Sequence, residues 1–305
     1  MSYTNLNCEH TQLLKTNIDF CKNCSCILIV QNETILDHSL IDKQHINKID
    51  YSPIDSFKII FNSQKDFLKI MNLSNLSEEY SNRRPYLINL LREYYVEYKY
   101  SDKCFFLGIY LLDLLMCSVE MGSTFDLVGF TKDDFEKTIK YDLVVLSVFV
   151  LSIKFLEDDS YSPLLDSFVN KKNPSILYSL TEVRKYETFV LRLLRYKLDY
   201  YTSYFITETI LTHGVIFNEE MTEMGISNGK RIKEIVKDIW KLAVDLNMSF
   251  VYSNDFLLFS PFEIATTSIR IAKESKKFKK PIFSNDFSYV LPVEEYSECY
   301  NSMIK

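Results

Sequence analysis

The sequence predicts an all-α protein, and three observations carry that prediction. Only six Gly and seven Pro occur among 305 residues, which leaves few sites for the tight turns that an all-β chain needs. From Arg83 onward, apolar residues recur at spacings of three and four, the period of an amphipathic helix. Ser260, Pro261 and Glu263 supply a helix cap, a first-position proline and the acid of a capping box.

The first helical group is expected between residues 81 and 198. Residues 142–155 are rich in β-branched side chains, which suits a strand, but fourteen residues exceed the usual strand length and favour a buried helix. Ser162 and Pro163 predict a further helix start. The expected helices begin near Arg83, Lys103, Asp142, Ser162 and Thr181.

A second helical group is expected over residues 199–305, and residues 1–80 are predicted to form an N-terminal extension. The extension contains no Arg, is rich in Asn, Ser, Asp and Lys, and has only short apolar clusters. The second-group helices are predicted at Thr202–His213, Lys230–Asn247, Ser260–Lys273 and Pro292–Met303.

Composition and motifs exclude several function classes. A formal charge of −6 lacks the basic excess that binds nucleic acid, and the basic run from Lys273 to Lys280 reads as a solvated loop. No apolar run reaches membrane-spanning length and no secretory signal begins the chain, so an intracellular protein of nucleus or cytoplasm is expected. Phosphate-binding loops and hydrolase motifs are absent, so we do not expect an enzyme.

Four residues near the N-terminus, Cys8, His10, Cys21 and Cys24, could form a small zinc-binding knuckle within residues 8–26. Thiolates and imidazoles hold Zn²⁺ tetrahedrally, and Cys21 and Cys24 have the usual spacing of a knuckle. Cys8 and His10 are one residue too close for a common knuckle. Free, reduced thiols are the alternative, and no cofactor is required beyond this possible structural zinc.

Several segments resemble the cyclin box. RRPYLINLLREYYVEYKYSDKCFFLGIYLLDLLM, residues 83–116, resembles its first two helices, and VVLSVFVLSIKFLED, residues 144–158, its third. LTEVRKYETFVLRLLRYKLDYYTS, residues 180–203, resembles the fifth. FLLFSPFEIATTSIRIA, residues 256–272, is similar to the central helix of a second cyclin repeat. The resemblance implies two stacked five-helix cyclin-like domains.

The resemblance also implies a function: a regulatory subunit that binds and activates a cyclin-dependent protein kinase. Lys154 and Glu187 match the pair through which cyclins grip the kinase beside its regulatory helix. Phe155 and Glu157 match further kinase-binding positions. Arg84 and Asp113 match a buried structural ion pair between the first two helices.

Departures from the family pattern and the cysteine cluster keep two alternatives open. Arg83 and Leu90 occupy positions where many cyclins carry a substrate-docking patch, and Leu156 replaces the first of two acids. The Arg-free extension cannot hold the Arg-x-x-Leu degradation signal of mitotic cyclins. A zinc ribbon before two cyclin-like repeats also describes the transcription factor IIB family, and a non-activating cyclin-fold scaffold is the third possibility.

Overall fold

The computed structural model describes two compact units, built from α-helices and three short strands. The described residues are 27–30, 34–37, 59–60, 62–63, 77–120, 140–157, 178–213, 215–226, 229–279, 282 and 297–304. The all-α class is confirmed. The predicted helix at Ser162 and Pro163 lies outside the described residues.

Four helices of the first unit fall within the described part of the chain. They are α1 (Glu78–Tyr98), α2 (Asp102–Glu120), α3 (Tyr141–Leu156) and α4 (Leu180–Leu193). Helix α1 starts five residues before the predicted Arg83, because the Ser77 hydroxyl accepts from the Tyr80 amide and caps the helix there. Residues 142–155 are helical, as length had indicated.

Helices α2 and α3 form the core of the first unit. Every residue from Leu143 to Ile153 is buried, and so is every residue from Cys104 to Cys117. The α1–α2 contact is close: a Cβ at Gly108 would lie 2.9 Å from the Tyr95 hydroxyl. That hydroxyl donates to the Cys104 carbonyl at 2.8 Å, which ties α1 to α2.

A distant segment, Tyr252–Leu258, also belongs to the first unit. It contains a 3-10 helix, Asn254–Leu258. Phe256 is buried with its ring 5.7 Å from that of Tyr110. Since this contact joins residues far apart in sequence, no local pattern predicts it.

The second unit contains a three-stranded sheet and five described helices. They are β1 (Ile27–Val30), β2 (Thr34–Asp37), α5 (Ser203–His213), β3 (Ile216–Phe217), α6 (Asn218–Glu223), α7 (Gly229–Phe250), α8 (Pro261–Ser275) and α9 (Ser297–Met303). The sheet order is β1–β2–β3 with both pairs antiparallel. Strand β2 aligns Thr34 with Phe217 and Ile35 with Ile216, so part of the predicted extension pairs with the C-terminal half.

The prediction of a solvated loop was wrong for Lys273. This lysine is buried in α8, and its Nζ donates to the Val215 carbonyl at 2.5 Å and to Glu220 at 3.3 Å. Glu220 also accepts from the Phe217 amide at 3.1 Å. Burial lowers the pKa of Lys273, an effect that the nearby Glu220 carboxylate opposes. The pair fixes the loop that carries β3.

Candidate functional site

The C-terminal turn of α3 is where a buried helix reaches the surface. After eleven consecutive buried residues, the next three side chains, Lys154, Phe155 and Leu156, are exposed. The helix ends at Leu156, and the Glu157 amide donates to the Ile153 carbonyl at 2.8 Å. A lysine in the last turn also interacts favourably with the negative end of the helix dipole.

Lys154 and Glu187 form an ion pair across α3 and α4. The Lys154 ammonium donates to Oε1 of Glu187, and the two side chains are 40% and 12% exposed. An ammonium carries three donors and a carboxylate two oxygens, so each group can still bind a partner on its outer side. Folding therefore places these residues together on one accessible surface.

Phe155 and Leu156 add apolar area beside this ion pair. Their relative exposures are 47% and 41%, although both are large hydrophobic side chains. Exposed aromatic side chains are enriched in protein-binding surfaces, where charged groups lie mostly at the rim.

Glu157 lies at the same helix end but is turned toward α2. Its Oε1 accepts from the Ser101 hydroxyl at 2.9 Å and from the Cys104 thiol at 3.2 Å. Burial raises the pKa of Cys104 to about 12, which keeps the thiol protonated as a donor. The carboxylate also faces the positive end of the α2 dipole. Glu157 thus joins the end of α3 to the start of α2.

Helix α4 is held by its own cap and by α3. Ser179 and Glu182 form a capping box, in which each side chain accepts from the other residue's backbone amide. Lys140, just before α3, donates to Glu182 at 3.0 Å. The Ser179 amide, followed by Lys140, lowers the pKa of Glu182 to about 2. These contacts position the helix that presents Glu187.

Comparison with known protein families identifies the domain that α1 to α4 form. Residues 55–199 match the family model of the cyclin N-terminal domain. The chain therefore contains a cyclin box over these residues. A search of curated proteins found no match to it. The matched range contains α1 to α4, and therefore both members of the Lys154–Glu187 pair.

Arg84 and Asp113 form a buried ion pair inside the cyclin box. Nε and one terminal nitrogen of Arg84 donate to the two Asp113 oxygens at 2.8 and 2.9 Å. The Tyr80 hydroxyl donates to the same carboxylate at 2.6 Å, and Arg84 also donates to the Ser253 carbonyl at 3.2 Å. Burial, followed by the Asp113 charge, raises the pKa of Tyr80 well above its ordinary value. Removing one member would strand buried charge.

The four candidate zinc ligands, Cys8, His10, Cys21 and Cys24, lie outside the described residues. Within the described part of the cyclin-box protein, no group of His, Cys, Asp and Glu is arranged to hold a metal ion. None of the helices in that part has both the length and the apolar character needed to cross a membrane.

Sequence reasoning missed Lys140 as the residue that positions α4. It precedes α3 and is separated by 42 residues from its partner Glu182. A lysine before an apolar helix has no distinguishing pattern, whereas Ser179 and Glu182 do carry the capping-box spacing. That signal could have located the true start of α4 at Leu180.

Proposed function

We propose that this protein is the regulatory subunit of a protein kinase, which it binds through the exposed end of α3 and the adjoining face of α4. The observation that carries the proposal is the cyclin N-terminal domain match over residues 55–199, because cyclin domains are in general regulatory and non-catalytic. The kinase performs the phosphoryl transfer. The protein then acts inside the cell, in the nucleus or cytoplasm.

The chemistry of the surface supports this role. Phe155 and Leu156 offer apolar area whose burial supplies affinity, while Lys154 and Glu187 offer one cation and one anion that fix the register of the partner. A subunit that binds the active conformer of a kinase more tightly than the inactive one shifts the population toward the active conformer.

A charge exchange at the ion pair tests the proposal. In the double variant Lys154→Glu with Glu187→Lys, the intramolecular pair can still form, but both charges offered to a partner are reversed. Because a hydrogen bond to a charged group contributes about 1.5 to 3 kcal/mol, we expect at least about tenfold weaker kinase binding. Helical content, measured by circular dichroism, should be unchanged.

The matched control exchanges a surface pair elsewhere. Lys276 and Asp238 form an ion pair at 2.5 Å in the second unit, with side chains 34% and 56% exposed. The double variant Lys276→Asp with Asp238→Lys should retain the kinase. Equal recovery of the kinase with the Lys154 and Glu187 exchange would remove those residues from the interface.

A further inference from the structure

The outer face of α4 carries a concentration of positive charge. At about 100° of rotation per residue, Arg184, Lys185 and Arg192 fall within a sector of about 100°, and all three side chains are exposed. Arg195, also exposed, follows in the turn that ends the helix. We call these four residues the basic strip. Thr181 and Thr188 lie in the same sector, so no acid interrupts it.

Within the described part of the chain, the four cations of the basic strip have no ion-pair partner. Both acids of α4 make ion pairs with cations outside the basic strip, Glu182 with Lys140 and Glu187 with Lys154. Among the described residues, this sector of the helix therefore presents positive charge that no ion pair compensates.

Most arginines elsewhere in the chain form ion pairs with carboxylates. The sequence contains eight arginines, three of which lie in the basic strip. Four others are paired with carboxylates: Arg83 with Glu79, Arg84 with Asp113, Arg92 with Asp102 and Arg270 with Glu274. Three arginines without an ion pair among the described residues thus lie together at α4, in a chain whose net charge is −6.

The turn after α4 holds Arg195 in a left-handed backbone conformation. Arg195 and Tyr196 have φ angles of 52° and 59°, the left-handed region that glycine usually occupies after a helix. Their amides donate to the Arg192 and Leu191 carbonyls at 2.9 and 2.8 Å. These hydrogen bonds fix the backbone of Arg195 at the C-terminal end of the basic strip.

We propose that the basic strip docks a phosphorylated segment of a partner protein. Guanidinium groups bind phosphate through paired hydrogen bonds, and a phosphoserine carries a charge of about −1.5 to −2 that two adjacent cations can match. The Thr188 hydroxyl is not expected to donate to the phosphate, because it already donates to the Arg184 carbonyl at 2.9 Å. The cations alone supply the recognition.

Two other anionic partners fit less well. A membrane surface requires apolar side chains that insert beside the cations, but the apolar face of α4, with Val183, Val190 and Leu193, is buried in the first unit. Nucleic acid favours a domain with an overall basic balance, and this chain is acidic.

The centre of the basic strip lies about 110° around α4 from Glu187, at about 100° per residue. Arg184, three residues before Glu187, borders the surface proposed to bind the kinase. The inference does not rest on kinase binding, since the isolated protein should bind the phosphorylated segment. If a kinase is bound as well, the basic strip would capture substrates or partners that have already been phosphorylated.

The test uses the full-length protein and a fluorescent peptide that carries two phosphoserines. Binding is measured by anisotropy, with the unphosphorylated peptide as reference. We expect the phosphorylated peptide to bind at least tenfold more tightly. The quadruple variant R184Q/K185Q/R192Q/R195Q should bind it at least tenfold more weakly, and the dependence of affinity on salt should become shallower because fewer ionic contacts form.

The control variant R231Q/K237Q/K241Q/K279Q removes four exposed cations from the second unit and should bind within twofold of wild type. The half variants R184Q/K185Q and R192Q/R195Q give the same test should the quadruple variant lose helical content. Equal binding of both peptides, unchanged affinity of the variants, or tighter binding of DNA or phosphatidylserine vesicles would overturn the inference. Kinase recovery with the same variants tests the proposed function separately.

Discussion

Replacing Arg84 with Met should destabilise the cyclin box severely, although the substitution preserves an apolar stem of similar length. Arg84 and Asp113 are 0% and 1% exposed, and two direct hydrogen bonds join them. The variant leaves the Asp113 carboxylate buried with Tyr80 as its remaining donor at 2.6 Å, and it removes the donor to the Ser253 carbonyl. Breaking a buried pair in this way costs about 3 to 5 kcal/mol.

Urea denaturation followed by far-ultraviolet circular dichroism measures this loss as a change in the free energy of unfolding. The triple variant Y80F/R84M/D113L removes the carboxylate and both of its partners, so no buried charge is stranded. It should recover at least about 1.5 kcal/mol relative to Arg84→Met, since groups in one network are energetically coupled. The control Arg92→Met breaks a partly exposed pair with Asp102 and should cost about 1 kcal/mol or less.

A cost below about 1 kcal/mol for Arg84→Met would refute this reasoning, and so would a triple variant less stable than the single one. Either result would mean that burial of the pair does not make the loss of one partner costly.

Two further predictions concern α3 and α4. Phe155→Ala should weaken kinase binding at least about tenfold. It should lower the free energy of unfolding by about 1 kcal/mol or less, because the ring is already half exposed. A loss of unfolding free energy as large as the loss of binding free energy would contradict an interface role. Glu182→Gln should lower the melting temperature above about pH 4.5, where the carboxylate is charged, and this difference should vanish as pH falls toward the folded-state pKa of about 2. A difference independent of pH would exclude the capping carboxylate as its cause.

Local sequence patterns predicted the helices correctly, but they did not predict which charged residues are buried. Residues 142–155 could be assigned to a helix because their length outweighed their β-branched composition, and the helix spans Tyr141–Leu156. Ser260 and Glu263 marked the start of α8 because capping is a local interaction. In each case the deciding physics lies within a few residues.

Buried charges depend on partners that local pattern cannot supply. Arg84 was assigned to the interior only through the cyclin resemblance, because Asp113 is 29 residues away. Lys273 was misread as solvated because it begins a basic run, although it lies four residues after buried Ile269 on the same helix face. Its partner Glu220 is 53 residues away.

The β2–β3 pairing escaped prediction for a related reason. Strand β3 is two residues long, too short for an alternating pattern to be recognised, and its partner strand ends at Asp37, far away in sequence. The Lys154–Glu187 pair, in contrast, was predicted although its members are distant in sequence, because both residues match positions of the cyclin family. The structure places them in contact, and their role in binding a kinase stays a prediction.

The proposed binding and activation of a protein kinase can be tested in cells. The most direct measurement is to purify the tagged protein from its native cells, identify its partners by mass spectrometry and assay the eluate for phosphoryl transfer. We expect a stoichiometric kinase whose activity disappears from the eluate with the Lys154→Glu and Glu187→Lys exchange but persists with the Lys276→Asp and Asp238→Lys control. Recovery of RNA polymerase subunits, or of partners without any kinase activity, would contradict the proposal.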